Sequence, residues 1–268
     1  MTPNPRQQRL LDYVRAQHHA SVETLATNLG VTTQTVRRDL KLLTDAGLVG
    51  RYHGGVSLKS STENIDYAQR KALNREAKQR IAKCVAGAVP AGASLIINIG
   101  TTTEEVARAL LSHNGLRVVT NNLNVASILA GNSNCEVIVA GGSVRRRDLG
   151  IVGEATIDFI RQFRVDIGII GISSIEADGT LRDYDYREVK AAQTIIAQSD
   201  QVWLVADKSK FQRRALVRLA HLSQVNALFT DAPVSAHFMR VLSKSGTRLY
   251  VADDAGRRRP TRRTAFKE

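Results

Sequence analysis

The segment Val31-Thr32-Thr33-Gln34-Thr35-Val36-Arg37-Arg38-Asp39-Leu40-Lys41-Leu42-Leu43 constrains this chain more tightly than any other. Val36, Leu40 and Leu43 recur at i, i+4 and i+7, which puts three apolar side chains on one stripe of a helix. Thr33, Gln34, Thr35, Arg37, Arg38 and Lys41 fall largely outside that stripe. Such a face carries what a DNA major groove asks for: guanidinium forks for guanine edges or phosphates, an amide for adenine, and threonine hydroxyls and methyls. Thr32 is placed to cap the helix at its start and Gly47 to cap its end. An ordinary solvated helix face has the same charge pattern, so the neighbouring segments decide between the two readings.

Those neighbours favour DNA. Arg6 to Gln17 carries Leu10, Leu11 and Val14 at helical spacing, and Ser21 can cap a second short helix, Val22 to Leu29, that stops at Gly30. Helix, glycine turn and helix, with a first helix behind, is the pattern of a helix-turn-helix domain. Beyond Gly47, Leu48 to Val56 reads as two short β-prone runs around Gly54-Gly55, a hairpin wing. Arg51, Tyr52 and His53 stand near its tip, within reach of phosphate or minor groove. His53 fits a cap of the turn equally well.

With 268 residues, 43% hydrophobic and 24% charged, the chain has room for a small domain and a larger one. Its apolar runs are too short to span a bilayer, and Met1 to Gln8 is polar, so a cytoplasmic protein is expected. Two cysteines, Cys84 and Cys135, do not make a disulfide framework or a metal cluster, and neither a metal nor a cofactor is expected. A net charge of +13 suits a polyanionic partner. Part of it lies in the tail residues Arg257, Arg258, Arg259, Arg262, Arg263 and Lys267, so the helix is the stronger indicator.

The polar stretch 57–74 interrupts the hydrophobic pattern and marks a linker. An amphipathic helix follows from Arg75 to Ala88. After it, β-rich runs alternate with helical segments: Ser94 to Ile97, Arg117 to Thr120, Glu136 to Ala140, Val165 to Gly171, Val202 to Ala206, Ala227 to Thr230 and Arg248 to Val251. The alternation predicts a largely parallel sheet covered on both faces, whose ligands gather at the carboxyl ends of the strands.

The residues at those ends are therefore the candidates. Gly100-Thr101-Thr102-Thr103 opens a helix with free amides and hydroxyls, a cradle for phosphate or simply a well-capped helix. It lacks the lysine of a Walker motif and the three glycines of a dinucleotide fingerprint. Asn122 and the pair Gly141-Gly142 follow the next two strands, where amides or bare backbone can approach a small ligand. Arg145, Arg146 and Arg147 read by default as a solvated run, from which one guanidinium can reach an anion, and Gly150 to Glu154 reads as a turn into a helix. In the second half, Asp185 and Glu188 can meet the hydroxyls of a polyol, and Lys210 can pair with a phosphate or be a surface lysine.

The order Gln34-Thr35-Val36-Arg37-Arg38-Asp39-Leu40, then Leu48, then Arg51-Tyr52-His53-Gly54-Gly55 resembles the DNA-binding signature of the DeoR family of bacterial repressors. Ile99 to Thr103, Asn121-Asn122, Gly141-Gly142, Gly153-Glu154, Asp185 with Glu188, and Asp207 with Ser209-Lys210-Phe211 match the motifs of that family's effector domain, so the resemblance runs from about Arg6 to Val251. It implies a winged helix-turn-helix domain over 1–57, a linker over 58–74, and an α/β effector domain over 75–251 related in fold to ribose-5-phosphate isomerase and CoA transferases. It also implies that Asp39 orients an arginine or a cap, that operator DNA is the target, and that the protein is a homo-oligomer, a dimer or tetramer. The inducer would be a phosphorylated small molecule, with sn-glycerol 3-phosphate expected. The tail 252–268 has no counterpart and is expected to be disordered. Two rivals stand beside this expectation: a repressor answering to another sugar phosphate, and a sugar-phosphate isomerase using Asp185 or Glu188 as base and Lys210 as stabiliser.

Overall fold

Three apolar stripes meet to make the first unit, Met1–Ile65. Leu10, Leu11 and Val14 come from α1 (Pro5–Gln17), Leu25 from α2 (Val22–Leu29), and Val36, Leu40 and Leu43 from α3 (Thr33–Asp45); all are buried in one core. A short strand, β1 (His19–Ser21), joins the hairpin β2 (Val49–Tyr52) and β3 (Gly55–Leu58) in a sheet of order β1-β3-β2, which brings Val49 and Val56 into the same core. β1 is too short to leave a pattern in the sequence. Ser21 and Thr32 cap α2 and α3, accepting the backbone N–H groups of Thr24 (3.0 Å) and Thr35 (3.2 Å). Gly30 ends α2 in the left-handed region at φ 65°, where a side chain would be strained. The last turn of α3 closes on Ala46, whose N–H bonds Leu42 O; the expected cap Gly47 lies outside the described residues.

The structure, a computed structural model, describes residues 3–17, 19–46, 48–52, 55–58, 66–253 and 258–260. The second unit, Asp66–Glu268, begins with α4 (Tyr67–Ala72) and α5 (Arg75–Ala86). Then come β4 (Ser94–Ile97), α6 (Thr101–Ala109), β5 (Leu116–Thr120), α7 (Leu123–Leu129) and β6 (Cys135–Val139). A hairpin, β7 (Ser143–Arg145) and β8 (Gly150–Val152), leads into α8 (Glu154–Ile160) and β9 (Val165–Gly171). There follow β10 (Ser174–Ile175), β11 (Thr180–Asp183), α9 (Tyr186–Ala197), β12 (Ser199–Val205), a 3-10 turn Lys208–Gln212, β13 (Val217–His221), β14 (Ala227–Thr230), α10 (Ala236–Ser245), β15 (Arg248–Ala252) and β16 (Arg258–Pro260).

The main sheet has the order β16-β15-β14-β12-β9-β4-β5-β6, with every pair parallel except β15–β16. Neighbouring strand residues enter separate cores: Leu95 and Ile97 pack on one face, Ile96 on the other. Burial on both faces is why these strands read as unbroken apolar runs. The chain builds outward from β4 through β5 and β6, then returns to β9 on the other side of β4, so β4 and β9 flank the point where the winding reverses. In open α/β sheets the ligand crevice lies outside the carboxyl ends at such a point.

Three expectations from sequence change here. Gly150 to Val152 is a strand paired with β7, not a turn, and Gly150 lies where a Cβ would sit 2.6 Å from Ile99 Cδ1. Arg258–Pro260, in the tail expected to be disordered, adds an antiparallel strand to β15. The segment 66–74, counted with the linker by its polarity, folds onto the second unit through α4.

Gly142 has φ 142°, and a Cβ there would stand 2.1 Å from the Oγ1 of buried Thr156. Gly142→Ala is expected to cost about 1–3 kcal/mol of stability from overpacking alone, read as a fall in the denaturant midpoint. A variant as stable as the parent would show that the β7–β8 hairpin shifts freely away from α8.

Candidate DNA-binding face and effector site

On α3, Gln34, Arg37, Arg38 and Lys41 are exposed, Thr33 and Thr35 half-buried. Asp39, directly after two arginines in sequence, turns the other way: it is 3% exposed and accepts Arg6 Nε at 2.6 Å and Gln7 Nε2 at 3.0 Å. Burial works to raise its pKa, but the bonds from Arg6 and Gln7 and the charge of Arg38 outweigh it and hold the carboxyl below its ordinary range. Asp39 thus locks α1 against α3 and leaves the outward face to cations. Arg51 lies in β2, but its side chain is outside the described residues, as is the whole of His53.

In the second unit, the loops after β4, β9 and β12 come together at the reversal point. Gly100 starts α6, and Thr101, Thr102 and Thr103 are buried in its first turn. The Thr103 hydroxyl lies 2.8 Å from Asn98 O and 2.7 Å from Gly100 O, so its proton is committed to shaping the loop. Gly100, Thr101 and Thr102 keep the first-turn amides that an anion can use. Asn122 is fully buried and caps α7 by accepting Asn124 N at 2.9 Å. Gly141 and Gly142 are exposed, yet Gly141 O accepts the Thr156 hydroxyl at 2.8 Å and Gly142 makes room for that side chain. Packing requires the glycine at 142, whereas a Cβ at Gly141 would meet open space.

Arg145 departs from the solvated reading of its run. Its side chain is 9% exposed and clamps three carboxylates: Asp148 through Nε and Nη2 (both 2.8 Å), Asp185 through Nη1 (3.0 Å) and Glu188 through Nη2 (2.7 Å). The fold needs the hairpin to bring residue 145 beside α9, a contact no local pattern announces. Burial, and next the neighbouring charge of Asp183, push the Glu188 carboxyl up to about 7 despite the guanidinium. Asp183 itself is buried, accepting Ser173 Oγ at 2.9 Å, and burial raises its pKa.

A second cluster surrounds Asp207, which is buried and accepts Asn74 Nδ2 at 3.0 Å and Ser209 N at 2.9 Å. Four cations, Arg70, Lys78, Lys210 and Arg213, act on one another or on this carboxylate. Lys78, 3% exposed, donates to Arg70 O; burial, reinforced by Arg213 and Arg70, brings its pKa down to about 8 against the pull of Asp207. Lys210 comes down to about 7, by burial and then by Arg213. Arg213 is also lowered by burial, and its Nη1, the Arg70 Nε and the Ser209 Oγ are buried without a partner among the described residues. Arg70 is paired with Asp148, whereas Lys78, Lys210 and Arg213 have no ion pair among the described residues, with Asp207, Asp183 and Glu105 acting on them only through space; cations held in this way suit an anion.

Of these cations only Lys210 stands out in the sequence. Lys78 had a signal: it falls three residues before Ile81 and seven before Val85, a charge on the apolar stripe of α5. Arg70 and Arg213 lie in polar stretches that offer none.

Family models match twice: "DeoR-like helix-turn-helix domain" over residues 6–62 and "DeoR C terminal sensor domain" over residues 73–232. The chain is 48% identical to the glycerol-3-phosphate regulon repressor of Escherichia coli (strain K12) over 91% of its own length and 96% of that protein's. It is 48% identical to the Haemophilus influenzae protein of the same name, over 94% and 98%. The HTH-type transcriptional repressor CsqR of Escherichia coli is 42% identical over 86% and 88%. Among solved structures, ribose 5-phosphate isomerase from Methanocaldococcus jannaschii is similar at a TM-score of 0.39 and 13% identity, over 52% of this chain and 55% of that one. No helix among the described residues is long and apolar enough to cross a membrane.

In the unfolded chain Lys78 and Lys210 would hold their protons up to about pH 10.4. Folding brings them down to about 8 and about 7, so between pH 7 and 9 the unfolded state binds more protons and stability rises with pH. Thermal melts at pH 7, 8 and 9 in phosphate-free buffer should show Tm climbing, with a flatter climb in Lys78→Met and Lys210→Met. A parent Tm that falls over that range would refute the crowding of these cations.

Proposed function

The chain belongs to the DeoR family, and on that premise we propose that it is a DNA-binding transcriptional repressor of glycerol and glycerol 3-phosphate metabolism genes, released from its operator by sn-glycerol 3-phosphate. It acts by binding, not by catalysis, in the cytoplasm. The observation that carries the effector half of this reading is the surplus of cations over ion pairs: Lys78, buried, and Lys210 and Arg213, half-buried, have none among the described residues. A phosphate dianion matches that surplus, bonding the amides of Gly100, Thr101 and Thr102 and the side chains of Lys78, Lys210 and Arg213. Asp185 and Glu188, held by Arg145, present carboxylate oxygens to the hydroxyls of the glycerol moiety. Asn122, Gly141 and Gly142 shape the neighbouring loops.

The DNA half rests on Thr33, Gln34, Thr35, Arg37, Arg38 and Lys41, with Arg51 and His53 of the wing as phosphate contacts. A homo-oligomer, a dimer or tetramer, sets two recognition helices on successive half-sites. The effector releases DNA because it prefers the arrangement with lower operator affinity, and the linker carries that preference between the units. Another phosphorylated sugar in place of glycerol 3-phosphate is the second reading, since the cation cluster recognises the phosphate and only a few groups read the rest.

Fluorescence anisotropy on DNA from upstream of the chain's own gene, titrated with sn-glycerol 3-phosphate and a panel of sugar phosphates, tests this. Arg37→Ala should weaken operator binding by about 10- to 100-fold, the loss of a charged hydrogen-bonding group. Lys210→Gln should raise the effector concentration for half-release by about tenfold or more. Release of the parent by a different phosphate alone would replace the effector; indifference to every phosphate would overturn the sensor reading.

A further inference from the structure

Tyr67 stands in the first turn of α4, the first helix after the chain leaves the DNA-binding unit. Its hydroxyl points into the sensor unit and meets both oxygens of Glu104, at 2.9 and 3.1 Å. Asn124 Nδ2 binds the same hydroxyl at 3.1 Å, Glu104 Oε1 at 3.2 Å and Asp148 O at 3.1 Å. Three residues on, Arg70 pairs with Asp148 at 3.1 Å, and its guanidinium lies 5.8 Å from the centre of the Tyr67 ring. Asp148 is held in turn by Arg145, which reaches Asp185 and Glu188. One continuous polar network therefore runs from the first turn of α4, through the first turn of α6, to the carboxylates of α9.

Glu104 is the critical member. It is 1% exposed and sits in the first turn of α6, where a carboxylate is favoured by the helix dipole and by the Tyr67 proton. The amides of Gly100 to Thr102 belong to the same turn. An incoming phosphate dianion competes with Glu104 for that positive end and repels its charge. Any displacement of Glu104 alters the bond that holds Tyr67.

Resting on the effector reading above, we propose that Tyr67 is the positioning residue that couples the sensor's anion site to the DNA-binding unit, through its hydroxyl shared by Glu104 and Asn124. A ligand changes operator affinity only through interactions that differ between two arrangements of the chain. The Tyr67–Glu104 bond supplies one, placed where the chain departs toward the DNA-binding unit.

Tyr67→Phe removes one oxygen and leaves the ring in place. Full-length parent and variant are compared for operator affinity by anisotropy, with and without saturating sn-glycerol 3-phosphate, and for effector affinity by calorimetry. We expect the variant to bind effector within about threefold of the parent, while the ratio of its two operator affinities shrinks about tenfold or more toward unity. An unchanged ratio overturns the proposal, and so does a loss of effector affinity that accounts for the whole change. If no sugar phosphate releases the parent from DNA, the repressor–inducer reading fails, and the coupling is then read separately. Hydrogen exchange of the Tyr67–Ala72 amides should respond to inorganic phosphate in the parent and not in Tyr67→Phe, whereas equal responses overturn it.

Discussion

Three cations lack an ion pair among the described residues beneath the loops of the sensor domain. Lys78 arrives from α5, and Lys210 and Arg213 from the turn after β12, around Asp207 and with Asp183 nearby, while Arg70 of α4 is paired with Asp148. Burying like charges together is unfavourable, and the depressed lysines record that cost. The surrounding α/β sandwich, with apolar cores on both sheet faces, supplies the stability that makes it tolerable. A site that holds positive charge in this way binds a dianion without first having to gather its ligating groups, which is the physical content of preorganisation.

A second electrostatic device works in the opposite direction. Arg145 gathers Asp148, Asp185 and Glu188 around one guanidinium, so that carboxylates crowd one side of the site as cations crowd the other. A phosphorylated polyol has the matching polarity, an anionic end and a hydroxylated end. The groups that an isomerase could use as acid and base are present here, but they are bound into this clamp, and the chain carries a DNA-reading module that an isomerase has no use for.

In the DNA-binding unit the relation between sequence and structure is close. Residues that form each of its three helices lie within a turn or two of one another, so periodicity, Ser21, Thr32 and Gly30 were enough to locate α2 and α3. The same held for β4, β9 and β14, whose apolar runs needed no partner to be recognised. Reasoning failed where a residue's environment comes from far along the chain. Arg145 read as solvated because its partners are 40 and 43 residues away, and the packing demand for glycine at 142 went unread because Thr156 was not yet beside it. Lys78 was passed over because a lysine on an amphipathic helix is ordinarily outside.

What the amino-acid sequence determined by itself was the order and kind of the elements, the exposed polar face of α3, and the gathering of polar loops at one edge of a parallel sheet. These depend on local spacing, capping and strand–helix alternation, all of which act over a few residues. Tertiary structure alone decided which charges are compensated and which are not, because that depends on distances between groups up to 133 residues apart, as between Asn74 and Asp207. It also decided that α4 is tied to the sensor through Tyr67 and Arg70, since a polar segment looks the same in sequence whether it faces water or a buried carboxylate.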